Sequence, residues 1–260
     1  MRSPSRFRPA QVPDPAPLLR EHAALIRGIE RRGLLRGGLS LGALAMLGGC
    51  SPNDSAAVQS VLRAISRFND SVQAWLFDPT RLAPTYPEAM VVKPPRFNAF
   101  YGVEDVKPVD GPGWRLELAG RIGDRQPWTL RRLIALPEQE MIIRHICVEG
   151  WDYIGQWSGV PLRLFLEQVG ADLSCRYVAF RCADDYWGSI DMATALHPQT
   201  LLATKYARET IADPFGYPLR LRTATKLGFK NPKWITAIEV TNDYPGGYWE
   251  DRGFNWFSGL

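Results

Sequence analysis

The chain reads as an α+β fold, in which strands and short helices mix without a regular βαβ alternation. Three observations predict this. One clear helix stands apart at residues 54–76, where Val58, Val61, Leu62, Ile65, Phe68, Val72, Trp75 and Leu76 recur at helical spacing behind the capping residue Asp54. Trp114-Arg115-Leu116-Glu117-Leu118-Ala119 alternates as a half-buried strand. The strand-like segments that follow are separated by short helices at irregular intervals, with no internal repeat.

Taken in order, Asp78-Pro79 ends the first helix. Residues 79–112 are rich in proline and poor in periodicity, and are expected as irregular structure lying over a site. Past the strand at Trp114, Gly120 to Asp124 makes a turn and Thr129 caps a short helix through Leu136. Residues 140–149 read as a strand. Pro161 to Val169 reads as a helix, with proline at its start and Gly170 just past its end. A strand at 176–182 leads into a loop carrying Asp184, Asp185, Tyr186 and Trp187. A short helix follows Asp191, and further strands fall near 199–204, 218–223 and 234–241. The aromatic tail from Tyr244 to Phe257 is expected to wrap and close the core.

The 260 residues, 45% of them hydrophobic, are ample for one packed domain. The net charge of +4 is unevenly placed. Eight Arg in residues 1–49 face only Asp14, Glu21 and Glu30, so that stretch carries +5 and the remainder −1. The body therefore gives no reason to expect nucleic-acid binding. Glu30-Arg31-Arg32-Gly33-Leu34-Leu35-Arg36, followed by the apolar run to Gly49, looks like a twin-arginine export signal, and the run is shorter than the roughly 20 residues that span a bilayer. Leu47-Gly48-Gly49-Cys50 resembles a lipobox, in which a lipidated Cys50 would tie the chain to a membrane. Residues 1–50 are accordingly expected as the signal and 51–260 as a single domain in the periplasm. Cys175 and Cys182 bracket a strand and lie roughly 23 Å apart at ~3.3 Å per residue, beyond disulfide reach. Three His in the whole chain argue against a zinc site.

Two patches carry chemistry. In Arg144-His145-Ile146-Cys147-Val148-Glu149-Gly150-Trp151, Cys147 offers a soft thiolate in a strand-like setting, on the same face as His145. Read alone, a Cys between Ile and Val is more often a small core residue. The second patch gathers Arg220, Arg222, Lys226, Lys230 and Lys233 within fourteen residues around Gly228, a concentration suited to an anion such as a phosphate. Read alone, it is more often a solvated strand edge.

At these residues the chain resembles the sulfite-oxidase superfamily of molybdopterin oxidoreductases, and within it the periplasmic methionine-sulfoxide reductase catalytic subunits. Cys147-Val148-Glu149-Gly150-Trp151, Trp157-Ser158-Gly159-Val160-Pro161-Leu162, Gly216-Tyr217-Pro218-Leu219-Arg220 and Gly228-Phe229-Lys230 match the family's patterns. The resemblance spans roughly residues 90 to 257. It implies a sulfite-oxidase-type fold of mixed sheets with short helices, a molybdenum–molybdopterin cofactor, and Cys147 as the catalytic metal ligand. Cofactor contacts are implied at Asn98, Tyr101, Gly102, Cys182, Arg220, Gly228, Phe229, Lys230, Asn231, Pro232 and Lys233. Three departures stand out: Phe215 replaces a usual Asn or His, Cys182 replaces a Thr, and Phe97 stands where sulfite oxidases carry an anion-holding Arg. Twin-arginine export of a folded, cofactor-loaded protein agrees with this picture.

The implied reaction is two-electron oxygen-atom transfer on an S-oxide such as methionine sulfoxide, or a related small oxo substrate. No haem-attachment motif is present, so a membrane cytochrome b or other separate redox partner is implied. Oxidation of a sulfur oxyanion is the alternative, and Phe97 weighs against it. A Cys–His hydrolase using Cys147 and His145 lacks an evident third member. A lipid-anchored binding or scaffold protein would hold no cofactor.

Overall fold

The computed structural model describes residues 56–260. The export signal and lipobox expected in residues 1–50 lie outside the described residues. The chain divides into two compact units, residues 1–68 and 69–260, with the boundary inside the first helix. Of the first unit, the described part is the start of α1, Ala56–Leu76. Among the described residues no helix is long and apolar enough to cross a membrane.

The second unit is built on two five-stranded sheets. The first comprises β1 (Arg115–Gly120), β2 (Trp128–Thr129), β5 (Tyr177–Cys182), β6 (Trp187–Asp191) and β10 (Ile235–Thr241), in the order β2-β1-β10-β5-β6. Only β1 and β10 run parallel in it. The second comprises β3 (Gln139–Ile146), β4 (Asp152–Pro161), β7 (Thr200–Tyr206), β8 (Glu209–Thr210) and β9 (Arg220–Thr223), all antiparallel, with β7 pairing β4, β8 and β9. Three short helices fill the connections: α2 (Leu130–Ile134), α3 (Leu162–Gln168) and α4 (Met192–Ala195). The mixed sheets with few short helices are an α+β architecture.

Local chemistry explains most boundaries. Thr129 accepts a hydrogen bond from the Arg132 amide at 3.2 Å, and Asp191 accepts one from the Thr194 amide at 2.8 Å, which starts α2 and α4. Gly170, at φ +63°, ends the α3 region. Pro161 is the residue before α3, one position earlier than the sequence suggested.

Three expectations need correction. The strand read as 140–149 stops at Ile146, because Gly150 (φ +88°) turns the chain and its amide bonds back to the Cys147 carbonyl at 3.2 Å. Cys147 therefore sits at the mouth of a hairpin turn. The presumed loop ending at Trp187 becomes β6 from Trp187 onward. Two strands, β4 and β8, were not foreseen. β4 is buried along nearly its whole length, so it shows no polar–apolar alternation to read.

A large core lies around the first sheet and α3, including Leu116, Trp128, Phe165, Phe180 and Ile238. A smaller one lies on the second sheet around Met141, Ile143, Trp157 and Leu201. The chain end is tied down as well. Asp70 accepts from the Phe257 amide at 2.6 Å, and Gln73 from the Gly259 amide at 3.0 Å.

Gly159 is where β4 meets β7 at a register shift, and a Cβ there would lie 2.6 Å from the Ala203 Cα. Backbone cannot move aside cheaply at such a contact. Gly159→Ala is expected to lose at least ~2 kcal/mol of stability in urea unfolding; a loss below ~0.5 kcal/mol would show that the strands can part there.

Candidate cofactor site

The site forms where the chain leaves β9 of the second sheet and enters β10 of the first. Residues 226–233 bridge that step and fold back on β9: the Leu221 amide donates to the Pro232 carbonyl, and the Ile235 amide to the Leu219 carbonyl, each at 2.9 Å. The β3–β4 turn packs against this bridge. Gly228 is what lets the two approach, since a Cβ on it would lie 2.7 Å from His145 Nε2. One cavity opens between them, and Cys147, Gly228, Phe229, Asn231, Pro232 and Lys233 all line it.

Asn98 lines the same cavity from the irregular segment before β1. Tyr101 stands beside it, donating to Asp184 Oδ2 at 2.9 Å and stacking on Trp234 with centroids 6.2 Å apart. Gly102 lies outside the lining and precedes a 3-10 turn at Val103–Asp105. Cys182 is buried at the end of β5, outside the lining, and burial pushes its thiol far up. It sits there as a core thiol within electrostatic reach of Asp184 and Lys233. Arg220 is buried behind the wall, with its guanidinium 4.5 Å from the Trp157 ring.

The five cations divide into two sets. Lys226 and Lys230 have carboxylate partners, Asp191 at 3.1 Å and Glu250 at 2.5 Å. Arg220, Arg222 and Lys233 are buried and form no ion pair among the described residues. Arg222 is stapled by neutral acceptors, the Thr223 carbonyl, Asn231 Oδ1 and the Arg144 carbonyl. Arg220 donates one bond, to the Phe215 carbonyl at 2.9 Å, and its Nε and Nη2 have no partner. Lys233 is boxed by Phe97 and Trp234, 4.4 and 4.2 Å from its Nζ. Burial, then Arg220, push the Lys233 amine down to about 6. Burial brings Arg222 down to about 9. His145, with both ring nitrogens unpaired, is held well below its usual value by burial and by Arg222, Arg220 and Lys233.

Uncompensated buried cations are costly, and an anion is what would offset the cost. A phosphate-bearing group that also presents a thiophilic metal fits this donor set. Cys147 supplies the sulfur, held as a thiol by burial and by Glu149, whose Oε2 lies 3.7 Å away. Binding a metal there displaces the thiol proton. Arg220 and Lys233 offer unused donors to an anion. The Lys230 side chain does not, being committed to Glu250, and the Asn231 side chain is consumed inside the loop, accepting from Thr223 and Arg222 and donating to the Leu227 carbonyl.

Residues 103–249 match the family described as oxidoreductase molybdopterin binding domain. The chain belongs to this family. The provisionally named protein-methionine-sulfoxide reductase subunit YedZ1 of Azospira oryzae is 56% identical over 229 residues, covering 88% of this chain and 87% of that protein. The protein-methionine-sulfoxide reductase catalytic subunit MsrP of Campylobacter jejuni is 29% identical over 53% of this chain and 52% of its own. Among solved structures, the sulfane dehydrogenase SoxCD from Paracoccus pantotrophus superposes with a TM-score of 0.50 at 18% identity, over 53% of this chain and 40% of that one, a likeness of fold. The protein is thus a molybdopterin-dependent oxidoreductase of sulfite-oxidase-like fold, with a molybdenum–molybdopterin cofactor.

Asp184 and Tyr186 of the loop after β5 line the cavity, as do Phe100, Trp234, Trp249 and Phe254, which the sequence did not mark as site residues. The crowding of aromatic residues in the tail was the available signal.

The Lys233 amine has a pKa below its ordinary 10.5, so the unfolded chain binds that proton more tightly. Its cost is absent above pH 10.5 and grows as pH falls toward about 6. Cofactor-free protein is therefore expected to gain thermal stability between pH 6.5 and 9, with a smaller gain in Lys233→Met. Inorganic phosphate should raise Tm more at pH 6.5, where pairing with the protonated amine is favoured, than at pH 9. Equal phosphate effects at both values would contradict the assignment.

Proposed function

We propose that this protein reduces S-oxides, methionine sulfoxide among them, as the catalytic subunit of an exported two-component system. The observation that carries the reading is that one soft thiol and Lys233, whose amine reaches the Pro214 carbonyl at 3.4 Å but no carboxylate within ion-pair distance, line the same cavity, with Arg220 buried nearby. The names of the relatives support the substrate class, and their description as subunits supports a separate electron-supplying partner, which we assign as a membrane cytochrome b. The Arg31-Arg32 leader supports periplasmic placement of residues 51–260, and Cys50 supports a lipid tether.

When bound, the molybdenum–pterin group supplies two-electron redox chemistry and exchange of an oxygen atom. The chain's residues do the rest. Cys147 Sγ would hold the metal as a thiolate. Arg220 and Lys233 would hold the anionic end, and Gly228 lets the basic bridge pack against His145. Aromatic side chains exclude water from one wall of the cavity. In the net reaction the substrate S=O bond breaks, sulfur gains two electrons from the partner, and oxygen leaves as water with two protons. Asp184 faces the cavity with its carboxyl raised by burial, and so remains protonated to higher pH than an exposed acid. We assign it the delivery of a proton, with Tyr101 donating to its Oδ2.

Protein from a molybdopterin-producing host is expected to carry about one molybdenum per chain by elemental analysis, lost in Cys147→Ser. The loaded protein should oxidise reduced viologen dye with methionine sulfoxide and show no sulfite oxidation. Metal-free protein, or metal retained without Cys147, would refute the site; sulfite oxidation without S-oxide reduction would refute the direction.

A further inference from the structure

The aromatic tail does more than cover the core. Trp249 and Phe254 line the cavity that Cys147 lines. Their ring centroids are 5.1 Å apart, and Phe254 makes an edge contact with Phe229 of the 228–230 turn at 5.7 Å. Both are carried on one tight turn, in which the Arg252 and Phe254 amides donate to the Trp249 carbonyl at 3.0 and 3.1 Å, and Gly253 takes φ +99°.

Between these two rings in sequence stands Glu250. Its Oε1 lies 2.5 Å from Lys230 Nζ, and both side chains are 1% exposed. Lys230 Nζ is also 4.9 Å from the Trp256 ring. Gly247 makes room for the arrangement, since a Cβ there would lie 2.6 Å from Glu250 Oε1. A buried ion pair adds little net stability, but breaking it leaves an uncompensated charge. Such a pair therefore fixes geometry, and here it fixes the tail turn to the loop that carries Phe229, Pro232 and Lys233.

We propose that the Glu250–Lys230 pair is a latch that holds Trp249 and Phe254 as the specificity wall of the cavity, facing the alkyl arm of the substrate. This rests on the S-oxide reading above. Aromatic rings suit a thioether or S-oxide with apolar arms, through sulfur–aromatic and methylene contacts. On this proposal a small substrate would react beside Cys147 without needing the wall, whereas a longer one would lie along it. Lys230 thereby passes from the anion-binding set that the resemblance implies to a positioning role.

The test uses full-length, molybdenum-loaded protein and two probes of different length, dimethyl sulfoxide and N-acetylmethionine sulfoxide. In Trp249→Ala and Phe254→Ala the ratio of kcat/KM for the longer over the shorter substrate is expected to fall by ~10-fold or more. Glu250→Gln should shift the ratio in the same direction. It should also speed tryptic cleavage after the exposed Arg252 by ~10-fold, because cleavage follows the opened population. Glu250→Gln combined with Lys230→Gln should shift the ratio no further than Glu250→Gln alone. An unchanged ratio in all variants at unchanged molybdenum content would overturn the wall, and unchanged cleavage at Arg252 would overturn the latch. A loaded wild type that reduces neither probe would refute the S-oxide reading and the wall with it, while the cleavage rates would still decide the latch.

Discussion

The site turns on one electrostatic constraint: Arg220, Arg222 and Lys233 are buried near one another and form no ion pair among the described residues, with Asp184 only within electrostatic reach of Lys233. A fold that could neutralise them internally would do so, as it does for Lys226 with Asp191 and Lys230 with Glu250. Leaving three cations unpaired in a low-dielectric wall makes sense where a ligand brings the negative charge. The depressed Lys233 amine and the two unpaired nitrogens of Arg220 record that unmet demand.

The rest of the architecture serves to bring a sulfur to the same place. β3 delivers Cys147 at its end, the turn at Gly150 exposes it to the cavity, and Gly228 allows the basic bridge to seat against His145. Because the bridge joins β9 to β10, it is anchored in both sheets at once. That double anchorage steadies the wall that Lys233 shares with Cys147.

Much of this was legible in the sequence, for identifiable reasons. The Cys147 and Arg220 motifs are contiguous, so the spacing of their side chains is set locally. Thr129 and Asp191 announced their helices because capping is a local interaction. What was hidden depends on distant partners. Lys230 looks like an anion ligand until Glu250, twenty residues on, is seen against it. Trp249 and Phe254 belong to the cavity only once the tail has folded back. β4 concealed itself because burial on both faces removes alternation, and Gly155 and Gly159 weaken its strand character further. Cys147 was misplaced in a strand because Gly150 permits a sharp turn that apolar patterning cannot show.

The most direct test of the shared cavity is an anomalous-scattering map of the cofactor-loaded crystal, recorded at the molybdenum edge. The expected result is a single peak bonded to Cys147 Sγ, with the cofactor's phosphate between Arg220 and Lys233. A metal bound away from Cys147, or a phosphate that leaves those two side chains unpaired, would contradict it.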